Sequence, residues 1–264
     1  MGTHMDIDHD RLNHTAHNPR GVDRAGLANF AAVLAATRSL EDEIGVDPVY
    51  GATQRYLALA ETIADEARGD IQRDAIDLAG QWAQYTGWLH IAAGHFNEAA
   101  KCFAWSLEWA DDAEDDDLAA TVWSWRGHLA WVLGHTGRVI SLSRRAQRYR
   151  DIYAGERAYD CLQEARGHAV AGSAYMVDRL VDESHELAEQ ALLELEAAPP
   201  WHYYRSPEFW DLERGRALSR LPARAEQAVT YLEAGLAALP ESQRDTDWIT
   251  DYRRDLEHAQ ALCG

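Results

Sequence analysis

The sequence predicts an all-α protein, an α-solenoid in which antiparallel helix pairs stack side by side and a terminal helix caps the last pair. Three observations indicate this fold. Glycines that begin similar stretches recur every 40 residues, at Gly87, Gly127 and Gly167. Apolar residues around them follow helical spacing, and no alternating strand pattern of convincing length occurs. Counted along the chain, these patterns predict about eleven helices.

The chain divides into a short leading segment and one long helical domain. The first five residues have the composition of a cloning remnant, and the residues after them show no hydrophobic periodicity. We therefore expect residues 1–22 to be a remnant and a disordered tail. Residues 23–264 are expected to form a single helical domain.

Two long helices are predicted ahead of the repeats, over residues 24–43 and 49–68. Both carry apolar residues at helical spacing. Asp47, which Pro48 follows, is typical of an N-cap with proline in the first helical position.

Each 40-residue repeat is predicted to form a pair of helices. Seven residues after the first glycine of each unit stands a second small residue, namely Gly94, Gly134 and Ala174. The first small residue lets two antiparallel helices approach closely, and the second ends the first helix.

The last third of the chain predicts three more helices. Ser206 and Pro207 mark a helix start, and helices are expected over residues 207–221, 225–239 and 244–262. The preceding segment, residues 199–210, carries five aromatic side chains. Either it packs into the solenoid or it caps a binding groove.

The first repeat also matches a specific pattern. It contains Gly87, Gly94, Phe96, Ala99 and Phe103 at the spacing of the tetratricopeptide repeat (TPR), whose usual period is about 34 residues. Because the period here is 40, the helices are expected to be about a turn longer.

Several stretches resemble the TPR sensor domain of bacterial helix-turn-helix transcriptional regulators. They are Leu40–Gly45, Trp82–Leu89, Gly127–Trp131, Gln163–Ala169, Pro199–Trp201 with Ser206–Phe209, and Gly235–Pro240. The resemblance spans about residues 24–262 and implies a binding or sensing module, usually cytoplasmic. Only about 20 residues precede it, too few for a DNA-binding domain, so we do not expect the DNA-binding role to carry over.

The composition excludes several classes of protein and disfavours one class of partner. The 264 residues carry a formal net charge of −19, which disfavours direct nucleic-acid binding. Apolar residues make up 47% of the chain, too many for a disordered protein, yet they form no run long enough for a membrane span. The three cysteines form no CxxC pair, and so we expect a reducing compartment and no disulfides.

The resemblance also predicts where a ligand binds. In a TPR helix, the residue after the first small position and the residue one turn before it face the concave groove. With the aromatic segment and the last repeat added, the predicted ligand-binding residues are Gln84, Trp88, Ser124, His128, Trp131, Glu164, His168, Trp201, Tyr203, Arg216 and Arg220.

These side chains permit several kinds of chemistry. Arg216 and Arg220 suit a carboxylate or phosphate, and the tryptophans suit a flat or cationic ligand. His128 or His168 is a candidate general base that Glu164 would orient, or the same three are candidate metal ligands. Alternatively, each histidine only bonds a neighbouring helix.

Three functions stay open at this point. The first is a module that holds a small ligand or short peptide in its concave groove. The second is a stand-alone biosynthetic enzyme on a TPR scaffold, with acid-base or metal-dependent chemistry. The third is a protein–protein scaffold. No cofactor is assigned, no membrane partner is expected, and a homodimer is left open.

Overall fold

The computed structural model describes residues 7–244, 246 and 248–264, so the predicted cloning remnant lies outside the described residues. Within them the chain is all-helical, with twelve α-helices and no β-strand, which confirms the all-α class. The helices are α1 (His9–His17), α2 (Arg24–Ile44), α3 (Val46–Glu66), α4 (Gln72–Ala92), α5 (Phe96–Asp112), α6 (Asp116–Val132), α7 (Thr136–Ala146), α8 (Ala154–Val170), α9 (Ala174–Leu193), α10 (Pro207–Leu218), α11 (Ala225–Ala238) and α12 (Ile249–Cys263).

The helices belong to two compact units. Unit 1 extends to Ala119 and unit 2 begins at Ala120, so the division falls within α6. The single domain expected over residues 23–264 stays a prediction.

The segment before α2 differs from the predicted disordered tail. Asp8 caps α1 by accepting a hydrogen bond from the Arg11 amide at 2.9 Å. Asn29 of α2 exchanges two hydrogen bonds with the backbone of Asp8, at 2.8 and 2.9 Å. Thr15 and Val22 are buried. These long-range contacts hold the segment in place, and the local hydrophobic pattern contains no sign of them.

Unit 1 is built on α2 to α5, and the two helices predicted ahead of the repeats are present as α2 and α3. The rings of Phe30 and Trp82 stack in its core with centroids 5.2 Å apart. One detail of the prediction is wrong: α3 begins at Val46, directly after Gly45. Asp47 therefore lies in the first turn of the helix rather than at its cap.

Gly87 and Gly94, the two small residues of the first repeat, have the roles predicted for them: Gly87 lies where α4 packs against α5, and Gly94 lies in the turn after α4. A Cβ atom at Gly87 would lie 2.5 Å from a ring carbon of Phe103, so only glycine fits this helix contact. Turns that follow α4, α6 and α8 contain Gly94, Gly134 and Gly172, with φ between 73° and 76°. The third turn lies two residues before the predicted Ala174, which is instead the first residue of α9.

Unit 2 is arranged around α8, which packs against α7, α9 and α10. The next pair is α10 with α11, and α12 packs on both. The predicted starts at residues 207 and 225 are confirmed, whereas the last helix begins at Ile249 rather than at residue 244.

The aromatic segment packs into unit 2. Its Trp201 is buried and donates a hydrogen bond from Nε1 to the Thr121 hydroxyl of α6 at 2.9 Å. His202 and Arg205 are also buried, while Tyr203 stays half exposed. Of the two readings of this segment, the structure favours packing into the helical body.

Candidate functional site

Unit 2 contains a row of titratable side chains on one face of α8. Glu156, Asp160, Glu164 and His168 follow each other at intervals of four residues, a spacing that stacks side chains along a helix. The three carboxyl groups are all buried. We call these four residues the α8 row. Because buried carboxyl groups are costly, each needs a partner or a proton.

Glu156 is held ionised by two residues of the aromatic segment. Arg205 donates from Nη2 to Glu156 Oε2 at 2.9 Å, and His202 Nε2 lies 3.1 Å from the same oxygen. Arg205 also donates to the carbonyl of Gly155 at 2.7 Å. Burial disfavours the charge, but the Arg205 charge and the His202 ring outweigh it and lower the pKa of Glu156 to about 2.

Asp160, one turn further along α8, has its pKa moved in the opposite direction. Neither of its carboxyl oxygens has a hydrogen bond of normal geometry among the described residues. Burial and the negative charge of Glu156 raise the pKa of Asp160 well above its usual value, against the smaller opposing effects of Ser124 and Arg205. Glu156 is therefore ionised at neutral pH, whereas the surroundings of Asp160 disfavour its charged form.

Glu164 and His168 complete the row at a more exposed end. Arg144 donates from Nε to Glu164 Oε1 at 2.8 Å, and Gln147 donates to Glu164 Oε2 at 2.9 Å. His168 Nε2 lies 3.2 Å from Oε1. Both oxygens of Glu164 are thus engaged inside the protein.

A second set of buried charges surrounds Arg166, whose side chain is fully buried. Its Nη2 donates to Gln163 Oε1 at 3.0 Å and to the Tyr159 hydroxyl at 3.2 Å. Its Nε and Nη1 have no hydrogen-bond partner among the described residues. The nearest carboxylate oxygen, Glu213 Oε2, is 3.9 Å from Nη1 and is likewise unbonded.

Helices α10 and α12 supply the rest of this set. Arg216 donates to Asp255 at 3.0 Å and to Glu213 at 3.2 Å, and its guanidinium carbon lies 3.6 Å from the ring centre of Tyr252. Arg220 donates to the second oxygen of Asp255 at 2.9 Å. We call Tyr159, Arg166, Glu213, Arg216, Arg220, Tyr252 and Asp255 the Arg166 cluster.

Two residues predicted for the groove of the second repeat border this cluster. The guanidinium of Arg166 lies 5.5 Å from the ring of Trp131, within cation–π range. His128 is partly exposed, and its ring meets Trp125 edge-on at 5.4 Å. Burial of its ring nitrogen and the charges of Arg166 and Arg216 lower the pKa of His128 to about 3, so the imidazole is neutral at pH 7.

Three other residues predicted for the groove, Gln84, Trp88 and Ser124, are buried or bonded within their own units. In unit 1, Gln84 is buried and Trp88 donates to Glu41 at 3.3 Å. In unit 2, Ser124 is buried and its carbonyl accepts from Gln163 at 2.9 Å. The ring of Tyr203 meets that of its neighbour Tyr204 edge-on at 5.5 Å.

The metal candidates are not brought together. Over the described ranges, no group of three or more His, Cys, Asp or Glu side chains is arranged to hold a metal ion. Glu164 and His168 do meet, but their neighbour is the cationic side chain of Arg144 rather than His128. A guanidinium at that position repels a metal cation, so the described structure does not assemble the candidate ligands His128, Glu164 and His168 into one metal site.

Arg216 and Arg220, which were expected to bind a carboxylate or phosphate of a ligand, bind a carboxylate of the chain itself. Both side chains share Asp255, so neither presents an unpaired charge. Arg166, which sequence reasoning did not select, has two buried donors, Nε and Nη1, without a hydrogen-bond partner among the described residues.

Sequence reasoning missed several residues of the site, and only some carried a signal. Glu156 and Asp160 continue the four-residue spacing of Glu164 and His168 toward the N-terminus of α8, which the sequence displays. Arg166 and Glu213 carry no such signal, because their meeting depends on how α8 and α10 pack.

The comparisons with known proteins identify no relative. No protein-family model matches the chain, and no curated protein matches it either. Among the described helices, none is both long and apolar enough to cross a membrane.

Proposed function

We propose that this chain is a TPR-like binding module in which unit 2 holds a small ligand at the Arg166 cluster. The module is a sensor of the kind that the resemblance implies, and we place it in the cytoplasm on the same basis. A small ligand suits this location better than a peptide, because the polar atoms that would receive it are deeply buried.

Two features support the TPR-like arrangement. Helices α4 with α5, α8 with α9, and α10 with α11 pack as consecutive pairs. The turns after α4, α6 and α8 each contain a glycine of positive φ. Equivalent turns at regular intervals are what a stack of helix hairpins requires.

A single observation carries the binding proposal. Arg166 and Glu213 are both fully buried, lie 3.9 Å apart, and leave N–H and carboxylate groups unbonded toward each other. Buried polar atoms are nearly always satisfied, because each unsatisfied one costs about 1–3 kcal/mol. A ligand group that accepts hydrogen bonds from Arg166 would remove the part of this cost that falls on its donors.

The experiment is a thermal-unfolding screen of a library of small polar metabolites, followed by calorimetric titration of the hits. A ligand that binds the folded protein raises its midpoint. We expect hits whose affinity falls at least about tenfold in Arg166→Gln and stays unchanged in Arg224→Gln. The control removes an arginine that pairs with Asp178, outside the cluster. A library without hits, or hits insensitive to Arg166→Gln, would refute the proposal.

An enzyme is the second candidate, and the Glu156–Asp160 pair favours it. A carboxyl group with a lowered pKa and one with a raised pKa, one turn apart, are the pairing that general acid–base catalysis uses. Compounds that bind would be incubated with the protein and analysed by mass spectrometry. Turnover that Asp160→Asn abolishes without loss of binding supports an enzyme, and unchanged ligands count against one.

A further inference from the structure

The Arg166 cluster contains more positive than negative charges. Three arginines, Arg166, Arg216 and Arg220, share two carboxylates, Glu213 and Asp255. Asp255 accepts from two of the arginines, and Glu213 accepts from Arg216 and from the Tyr252 hydroxyl. The set therefore carries one positive charge that no carboxylate of the cluster balances.

Arg166 is the arginine that lacks a full partner. Arg216 and Arg220 each make a direct hydrogen bond to a carboxylate, whereas Arg166 reaches Glu213 only at 3.9 Å. Its two hydrogen bonds go to the neutral groups of Gln163 and Tyr159. A buried guanidinium without a bonded counter-charge is costly, and an anion at this position would relieve the cost.

The described neighbours of Arg166 do not supply that anion. Burial, together with the charges of Arg166 and Arg216, lowers the pKa of His128, so its ring adds no charge of its own at pH 7. Burial and the charge of Glu156 raise the pKa of Asp160, which disfavours its ionised form. Glu156 is paired with Arg205.

Two aromatic rings lie beside the guanidinium group of Arg166. Trp131 and Tyr159 have their rings 5.5 and 5.6 Å from the guanidinium of Arg166, and both side chains are partly exposed. Such rings favour a flat apolar body that is desolvated on one side. The cluster thus offers an anion position next to an aromatic surface.

We infer that the ligand is a small organic monoanion, a monocarboxylate with a flat apolar body, whose carboxylate binds Arg166 while its body lies against Trp131 and Tyr159. This inference rests on the proposed function and assigns its ligand class. The carboxylate accepts the donors of Arg166 Nε and Nη1 and supplies the missing negative charge.

Three compounds of the same shape test the charge directly: benzoate, benzamide and benzamidine, which are anionic, neutral and cationic at pH 7. Each is titrated into the full chain by calorimetry at low salt. We expect benzoate to bind at least about tenfold more tightly than either of the others, with its affinity lowered by added salt. Arg166→Gln should abolish the preference, and Arg224→Gln should leave it unchanged.

A second variant provides an independent test in case Arg166→Gln folds poorly. Glu213→Gln removes the carboxylate that competes for Arg166, so benzoate should bind several-fold more tightly than to the wild type. Equal or tighter binding of benzamide or benzamidine would overturn the ligand class while the binding module stands. Absence of binding by all three would overturn this inference, and the metabolite screen would then decide the proposed function separately.

Discussion

Glu156 and Asp160 lie one turn apart on α8, and only Glu156 is paired with an arginine. This pairing lowers the pKa of Glu156, whereas burial and the charge of Glu156 raise the pKa of Asp160. The surroundings thus move the pKa values of two like residues of one helix in opposite directions, as in many pairs of acid and base.

The first prediction concerns these two residues. Glu156→Gln should destabilise the protein by about 3–5 kcal/mol, because it leaves the buried charge of Arg205 without a partner. Asp160→Asn should change stability far less, because Asp160 has no bonded arginine whose charge the change would leave unpaired. Urea unfolding of both variants measures the difference, and an equal loss in the two would contradict the assigned pairing.

The second prediction concerns Asp77 in α4. Burial and the neighbouring carboxylate of Asp115 raise the pKa of Asp77 to about 7. A raised pKa means that its contribution to stability is complete below pH 4 and is lost as the pH rises through 7. Asp77→Asn should therefore gain stability over the wild type between pH 5 and pH 8, by up to about 4 kcal/mol.

Melting temperatures at several pH values measure this gain. The exposed Asp112 of α5 provides the matched control, since Asp112→Asn also removes a carboxyl group but leaves Asp77 and Asp115 in place. A gain in stability that does not depend on pH would show that the pKa of Asp77 is not raised in the folded protein.

The third prediction concerns the hydroxyl of Tyr50, which bonds Nδ1 of His90 at 2.8 Å and Nδ1 of His95 at 2.6 Å. One hydroxyl proton serves one ring, so the other ring must donate. Burial and the charge of His95 lower the pKa of His90. Stability from neutral His90 is present above pH 6.5 and is lost as the pH falls through and below that value.

Tyr50→Phe should cost about 1 kcal/mol at pH 7, the net value of a typical hydrogen bond. His90→Gln should flatten the loss of stability between pH 7 and pH 5. Thermal unfolding of the two variants across this range checks both effects. An acid sensitivity that persists in His90→Gln would assign the titration to another group.

The fourth prediction compares two glycines of unit 1. Gly87→Ala should cost about 1–3 kcal/mol, because the added carbon overlaps the ring of Phe103. Gly51→Ala should instead stabilise by about 0.5–1 kcal/mol, because Gly51 lies inside α3 with open space around it. Chemical denaturation measures both, and a tolerated Gly87→Ala would show that α4 and α5 do not need their close approach.

The candidate site was only partly visible in the sequence. Glu164 and His168 were selected and do contact each other, and Glu156 and Asp160 extend their four-residue row. Arg205 could not be selected, because its partner Glu156 lies 49 residues earlier in the chain. Local patterns carry helical spacing, but they carry nothing about which side chains distant segments bring together.

The sequence by itself determined the helices. Apolar residues at helical spacing specify which segments coil, and small residues specify where two helices can touch, because both depend on neighbours within a few turns. Tertiary structure alone decided which charges were paired. It ordered the segment around α1, engaged Arg216 and Arg220 with Asp255, and left Arg166 with unbonded donors. These outcomes depend on burial and on charges that meet only after folding, since both the cost of a buried charge and its partners are set by the packed interior.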